Sequence, residues 1–110
     1  MLEFVESKVF TRKLFAIAGD RAEDVLLAIQ SDLLRNPIRG SVVRGLGGIR
    51  KAKTSDPARN KGKRGGFRYL YIYFLRDEQI GLLYLFGKNE QEDLTEDEKG
   101  ILAELAKEGE

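Results

Sequence analysis

The spacing of apolar residues predicts one strand, two helices, three strands and a last helix. Residues 2–6 alternate apolar and polar, a period of two that is typical of a half-buried strand. A first helix is expected over about residues 8–17, ended by Gly19. A second helix follows, with Asp20 as its expected N-cap and Glu23 in capping-box spacing. Its apolar residues recur at helical intervals and are Val25, Leu26, Ile29, Leu33 and Leu34.

The second half of the chain has the shorter period of a sheet. The second helix is expected to stop near Asn36-Pro37, because the residue before a proline disfavours helical geometry. Three strands are expected, over residues 49–54, 67–75 and 80–87, and the second is so continuously apolar that it should be central. Residues 55–66 are expected to form a hairpin connection. Thr95, with Glu98 in capping-box spacing, is expected to open the last helix.

This order of elements predicts an α+β domain. Two N-terminal helices and a short C-terminal helix should pack on an antiparallel sheet. A length of 110 residues is close to that of one domain, so residues 1–110 are expected to form a single domain. No stretch has the roughly 18–20 apolar residues that span a bilayer, and the first residues lack a signal pattern. A cytoplasmic protein without membrane contact is therefore expected.

The chain contains no cysteine and no histidine. Disulfide scaffolds, thiolate zinc sites, Ser-His triads and imidazole metal sites are thereby excluded. Lysine, arginine, tyrosine and carboxylates remain for proton transfer. The acidic residues Glu90, Glu92 and Asp93 have no histidine partners and are interpreted as a charged segment before a helix. We expect neither a metal nor another cofactor.

The net charge of +1 conceals a strong asymmetry along the chain. Between Arg44 and Arg68, basic residues outnumber a single acid, Asp56, whereas acids dominate after Lys88. The basic stretch is typical of an anion-binding region. Most charge runs are only solvated surface, so this pattern alone does not separate nucleic-acid binding from an ordinary polar face.

Three blocks carry a resemblance to a known family, and they are GLGGIRKAK (45–53), KGKRGGFRYLYIY (61–73) and LLYLFGKNEQEDL (82–94). The opening FVES and Asn36-Pro37 with Gly40 also fit. In this order the blocks resemble the RelE/HigB superfamily of bacterial toxins, most closely its HigB branch with phage-derived, Gp49-like relatives. The resemblance covers nearly the whole chain. It implies a RelE-like fold and a type II toxin that cuts mRNA on the ribosome without a metal.

The resemblance also implies roles for individual residues. Lys51 and Lys53 match the two lysines of the family's catalytic strand, and Arg68 matches its sheet arginine. The RelE branch has an arginine and a tyrosine where this chain has Asn89 and Thr95, so two functional side chains are missing. Lys88, usual in the HigB branch, is the expected substitute.

Strand geometry supports a phosphate site among these residues. Lys51 and Lys53 should share one face about 7 Å apart, and an antiparallel neighbour should bring Arg68 beside them. We hypothesise that one of the two lysines is the general base, activated by the positive charges around it. Arg68 would hold the pentacoordinate phosphorane, and Lys88 would protonate the leaving oxygen.

Other residues are candidates for binding RNA or the ribosome. Arg50, Lys61, Lys63 and Arg64 are expected to contact phosphates rather than to take part in chemistry. Tyr69, Tyr71 and Tyr73 alternate on one strand face, with Leu70, Ile72 and Phe74 on the other. Core packing is the favoured interpretation for each tyrosine. Tyr71 and Tyr73 are also candidates for stacking on a base.

Two alternatives to the nuclease stay open. The same fold class includes ParE-like toxins that inhibit DNA gyrase, although these need no convergent basic site. The chain is also consistent with an RNA-binding module that has lost catalysis. By resemblance, the partners would be the ribosome with its mRNA and a HigA-like helix-turn-helix antitoxin, through which alone the toxin would contact operator DNA.

Overall fold

The computed structural model describes residues 1–54, 66–87, 90 and 94–108, with side chains as far as residue 104. The elements in chain order are β1 (Glu3–Glu6), α1 (Lys8–Ala18), a 3-10 turn (Gly19–Arg21), α2 (Ala22–Arg35), β2 (Ser41–Val42), β3 (Arg50–Thr54), β4 (Phe67–Phe74), β5 (Gln79–Phe86) and α3 (Glu96–Glu108). The strands form one sheet in the order β1-β5-β4-β3-β2. The predicted α+β architecture is confirmed, and β3, β4 and β5 begin and end within one residue of their predicted bounds.

Helix α1 is bounded by local signals in the sequence. The Ser7 hydroxyl accepts a hydrogen bond from the Phe10 N–H at 2.9 Å, and Gly19 ends the helix with a φ of 54°. The predicted N-cap role of Asp20 is wrong. Asp20 lies inside the 3-10 turn, where the Ala22 N–H bonds to the Gly19 carbonyl, so a backbone bond replaces the side-chain cap before α2.

Two features of the sheet differ from the sequence expectation. Strand β1 pairs with β5 in parallel, with Phe4 opposite Ile80, so the sheet is mixed rather than wholly antiparallel. The period of a strand predicts which face each residue takes, but not the direction of its neighbour. The two-residue strand β2 pairs with Arg50 and Lys51 of β3 and was not predicted, because it is too short to show a period.

Both faces of the sheet are covered, which explains the continuously apolar sequence of β4. On the first face, α1 and α2 pack against Tyr69, Tyr71 and Leu82. On the second face, Leu70, Ile72 and other apolar side chains pack with Leu102 of α3. The helix side chains buried on the first face include Phe10, Leu14, Val25, Ile29 and Leu33. Leu34, expected in the core, is 57% exposed.

The C-terminal helix starts as the sequence predicts. The Thr95 hydroxyl accepts from the Glu98 N–H at 3.1 Å, and a Glu98 carboxylate oxygen accepts from the Thr95 N–H at 2.8 Å. These reciprocal bonds are the predicted capping box. None of the helices in the described residues is long and apolar enough to cross a membrane.

Candidate functional site

The register of β3 and β4 places three basic residues on one face of the sheet. Lys53 lies opposite Arg68, and Lys51 lies opposite Leu70. Residues opposite each other in a ladder share a face, as do residues two apart in one strand. Lys51, Lys53 and Arg68 therefore stand together on the face that α3 also covers. The two lysines are exposed and the arginine is half-buried, so both lysines can reach a ligand from solvent.

The surroundings of Arg68 limit its position from two sides. Lys53 of β3 pairs with it on one side, and Phe86 of β5 pairs with it on the other. Phe86 is buried in the second core with Leu70, so the basic residues border an apolar floor. An arginine stem can lie over apolar side chains while its planar donors bind a polar ligand. Three such cations on one face suit a phosphodiester.

Arg50, predicted to contact RNA, lies on the opposite face from the two lysines. It pairs with Tyr71, and its guanidinium donates to the carbonyl oxygens of Gly40 at 2.6 Å and Ile38 at 3.3 Å. These bonds tie the segment after α2 to the edge of the sheet. Lys51 and Lys53 therefore lie on one face of β3, and Arg50 lies on the other face, where backbone carbonyls bind it.

Tyr71 is one of two candidates for stacking on a base, and the structure contradicts that role. Its side chain is fully buried, and its hydroxyl donates to the Pro37 carbonyl at 2.9 Å while accepting from the Gly40 N–H at 3.1 Å. A base cannot reach such a ring, and core packing, the favoured interpretation, is what the structure shows. Tyr73 is half-buried on the same face and packs against the first core, away from Lys51 and Lys53.

Several predicted site residues lie outside the described residues. They are Lys61, Lys63, Arg64 and Lys88, together with Asn89 and the connection over residues 55–65. Thr95, which stands where the RelE branch has a tyrosine, is engaged in the capping box of α3. Within the described residues, no cluster of three metal-ligating side chains occurs.

A second polar cluster on the site's face was missed by sequence reasoning. Lys13 of α1 bonds to a Glu90 carboxylate oxygen at 2.6 Å and lies 4.7 Å from the centre of the Tyr84 ring. The Tyr84 hydroxyl is 3.1 Å from a Glu90 oxygen and 3.3 Å from a Glu98 oxygen. Tyr84 shares the face of Lys51, because both residues pair with Leu70. The cluster therefore lies two strands away, at about 10 Å.

The electrostatics of this cluster follow from its contacts. Burial and the two nearby carboxylates raise the pKa of Tyr84, so it stays neutral. Burial opposes ionisation of Glu90, but hydrogen bonds from Lys13, the Gly87 N–H and Tyr84 outweigh it and hold the pKa of Glu90 below its usual value. No local motif could reveal the cluster, since Lys13 and Glu90 lie 77 residues apart.

The architecture defines a class of fold: a mixed five-stranded sheet with two N-terminal helices on one face and a C-terminal helix on the other is the fold of RelE-like toxins. The isolated E. coli RelE toxin superposes with a TM-score of 0.56 at 14% identity, covering 98% of each chain. A chain of the intact E. coli RelBE toxin-antitoxin complex matches with a TM-score of 0.55 at 17% identity, covering 81% of this chain and 98% of that one.

A third solved structure has the same fold in another organism. A chain of the RelBE2 toxin-antitoxin complex from Mycobacterium tuberculosis matches with a TM-score of 0.59 at 22% identity, covering 77% of this chain and 95% of that one. No known family's sequence profile matches the chain. The similarity to these structures therefore lies in the three-dimensional fold, at low sequence identity.

Proposed function

We propose that this chain is the toxin of a type II toxin-antitoxin system and acts as a metal-independent mRNA endoribonuclease on the ribosome. The observation that carries the proposal is the convergence of Lys51, Lys53 and Arg68 on one face of a RelE-like fold. Gyrase inhibition would not need three converging cations beside an apolar floor. We assign the chain to the HigB branch on the sequence blocks around these residues.

The reaction would be an attack of a 2′-hydroxyl on its adjacent phosphorus. Lys51 or Lys53, as the neutral amine, would take the proton of the 2′-hydroxyl while the new O–P bond forms. Arg68 would neutralise the phosphorane oxygens with its planar pair of donors. The bond from phosphorus to the 5′-oxygen then breaks, and Lys88 would give that oxygen a proton. The products would be a 2′,3′-cyclic phosphate and a free 5′-hydroxyl.

The remaining candidates would bind rather than react. Lys61, Lys63 and Arg64 would make phosphate contacts with mRNA or ribosomal RNA, so their loss should weaken binding and reduce its salt dependence. Arg50 would instead support the fold, because its guanidinium binds the Gly40 and Ile38 carbonyls on the opposite face. Tyr73, which is half-buried on the opposite face, would stack on a base only away from Lys51 and Lys53.

The principal test is to map RNA 5′ ends during induced expression of the wild type, Arg68→Ala and Arg76→Ala. Arg76 is a matched control, because it is an exposed arginine that follows the far end of β4. Wild type and Arg76→Ala should give codon-phased 5′-hydroxyl ends, which ligate only after kinase treatment. Arg68→Ala should lose them by about 100-fold or more. Puromycin should abolish the cuts. In a ribosome assay with purified protein, cleavage should persist when EDTA removes the magnesium and a polyamine replaces it in holding the ribosome together.

Each alternative function gives a different result in the same cells. Growth arrest with DNA damage and no new RNA ends would indicate a gyrase inhibitor. Binding of ribosomes without cleavage by the wild type would indicate an RNA-binding module. Cleavage that persists in Arg68→Ala would retain the nuclease and refute this assignment of the site.

An antitoxin would be the second partner. The neighbouring gene should encode a HigA-like helix-turn-helix protein, and the toxin should bind operator DNA only as part of that complex. Co-expression followed by purification on a tagged toxin tests the complex, and a mobility-shift assay with the toxin alone tests the DNA statement. DNA binding by the isolated toxin would contradict it.

A further inference from the structure

The end of β3 that carries Lys53 has little support from the sheet on its outer side. Strand β2 pairs only with Arg50 and Lys51, so among the described residues no strand lies outside Ala52, Lys53 and Thr54. A backbone carbonyl at such an edge must find another donor or face solvent. The position of Lys53 therefore depends on what occupies this edge.

The side chain of Arg39 supplies that donor. Its guanidinium donates to the Lys53 carbonyl oxygen at 2.9 Å and to the Tyr69 hydroxyl at 3.3 Å, and it lies 3.8 Å from an Asp32 carboxylate oxygen of α2. Tyr69 is the next residue after Arg68 on β4. One side chain thus joins the strand of Lys53, the strand of Arg68 and the helix behind them.

The segment that carries Arg39 is itself held in place. The Tyr71 hydroxyl bonds to both the Pro37 carbonyl and the Gly40 N–H, and Arg50 donates to the Gly40 carbonyl. Contact with the β3 backbone is so close that a Cβ on Gly40 would lie 2.6 Å from the Lys51 carbonyl oxygen. Arg39 therefore extends from an anchored backbone, and this lowers the entropic cost of ordering its side chain in two hydrogen bonds.

The direction of the Lys53 carbonyl also sets how close Lys53 stands to Arg68. Since that carbonyl turns outwards to Arg39, Lys53 and Arg68 form a pair without mutual backbone hydrogen bonds. In antiparallel ladders such pairs bring their side chains closest together. A rotation of the strand end would change the Lys53–Arg68 separation directly.

We propose that Arg39 is a positioning residue of the site: its hydrogen bonds to the Lys53 carbonyl and the Tyr69 hydroxyl fix the Lys53 side chain against Arg68. This inference rests on the proposed nuclease function and adds a residue to that site. Arg39 would act through Lys53 rather than by touching RNA. Its charge is directed at protein oxygens on three elements.

The test is a double-mutant cycle on cleavage of ribosome-bound mRNA by purified protein. The variants are Arg39→Ala, Arg39→Lys, Lys53→Ala and the Arg39→Ala/Lys53→Ala double variant, with Arg35→Ala as control. Arg35 is an exposed arginine in the last turn of α2, so its loss removes the same charge near the same place. The single-turnover rate constant at saturating ribosomes is measured separately from the Kd for a 2′-deoxy mRNA that cannot be cut.

Arg39→Ala should lower the rate constant by about 10-fold to 100-fold and leave the Kd within about twofold. In the Lys53→Ala background the same substitution should have almost no further effect, because its only route to the chemistry is gone. Arg39→Lys should recover little of the rate, since both hydrogen bonds come from one terminal guanidinium nitrogen and the lysine side chain ends one bond short of that position. Arg35→Ala should behave as wild type.

A second measurement, which does not depend on cleavage activity, accompanies the double-mutant cycle. The Thr54 amide nitrogen shares a peptide bond with the Lys53 carbonyl, so its 15N chemical shift should move in Arg39→Ala and remain in place in Arg35→Ala. If Arg39→Ala does not fold, Arg39→Lys supplies the same comparison. A Kd that weakens with a reduced salt slope, or effects that add in the double variant, would show that Arg39 binds RNA directly and overturn the inference.

The failure of this inference is distinct from failure of the proposed function. An active wild type with a fully active Arg39→Ala variant overturns the positioning role alone. An inactive wild type, under conditions in which the ribosome translates, overturns both.

Discussion

Replacing Tyr71 with phenylalanine removes one buried hydroxyl and leaves the packing of the ring unchanged. That hydroxyl donates to the Pro37 carbonyl at 2.9 Å and accepts from the Gly40 N–H at 3.1 Å, in a side chain that is fully buried. Each lost bond is worth about 0.5–1.5 kcal/mol net, and a buried group left without a partner costs about 1–3 kcal/mol. We expect Tyr71→Phe to lower the free energy of unfolding by about 2 kcal/mol.

Tyr73→Phe is the matched control for this substitution. Tyr73 lies two positions along the same strand face, and its hydroxyl makes no hydrogen bond with the part of the chain that the structure describes. Its replacement should change the free energy of unfolding by less than about 0.5 kcal/mol. The comparison isolates the buried hydrogen bonds from the general effect of losing a phenolic oxygen.

The assay is urea unfolding followed by circular dichroism at 222 nm, because loss of a tyrosine changes the fluorescence signal itself. At this chain length about 2 kcal/mol corresponds to a fall in Tm of roughly 8 °C. The Kd of folded Tyr71→Phe for the uncut mRNA should match that of the wild type. Equal stability of Tyr71→Phe and Tyr73→Phe would refute the reasoning, and a selective loss of RNA affinity would restore Tyr71 as an RNA contact.

Three further predictions concern the supports of the site and of α3. Gly40→Ala should destabilise the protein by about 1–3 kcal/mol in urea unfolding, because its Cβ would collide with the Lys51 carbonyl of β3, and wild-type stability would contradict this. Thr95→Ala should cost α3 about 1 kcal/mol through loss of its cap, seen as faster amide exchange confined to that helix; unchanged exchange would contradict it. Burial opposes ionisation of Glu90, but the hydrogen bonds from Lys13, the Gly87 N–H and Tyr84 outweigh it and lower the pKa of Glu90 from its ordinary value of 4.5. The stabilisation from these bonds is therefore present above that ordinary value and is lost as the pH falls through the lower pKa. Glu90→Gln should therefore show a weaker loss of stability on acidification than the wild type, measured by urea midpoints from about pH 6 to 3.

The sequence predicted those parts of the fold that depend on local periods and caps. The end of α1 at Gly19, the Thr95–Glu98 cap and the bounds of β4 all come from neighbours in the chain. The shared face of Lys51 and Lys53 follows from the same period of two. Their closeness to Arg68 depends on the register between β3 and β4, which places Lys53 opposite Arg68 and which the period alone does not predict.

The remaining features depend on contacts that no local pattern encodes. Arg39 bonds to a carbonyl 14 residues away, and its role could not be read from a lone arginine between a proline and a glycine. The parallel pairing of β1 and the burial of Tyr71 likewise depend on how distant elements meet. Sequence alternation sorted the tyrosines onto one face correctly, but it could not say that α2 and its following segment close over that face.

The alternation along β3 and β4 gives substitutions in this region two opposite kinds of effect. Lys51, Lys53 and Arg68 face the candidate site, so their loss should change RNA chemistry with little change in stability. Arg50 and Tyr71 face the helices and hold the segment after α2, so their loss should change stability first. Because that segment also carries Arg39, a stability defect on the helix face can reach the site through the Lys53 carbonyl. A loss of cleavage in Arg50 or Tyr71 variants is therefore not evidence of RNA contact until the double-mutant cycle with Lys53→Ala has been measured.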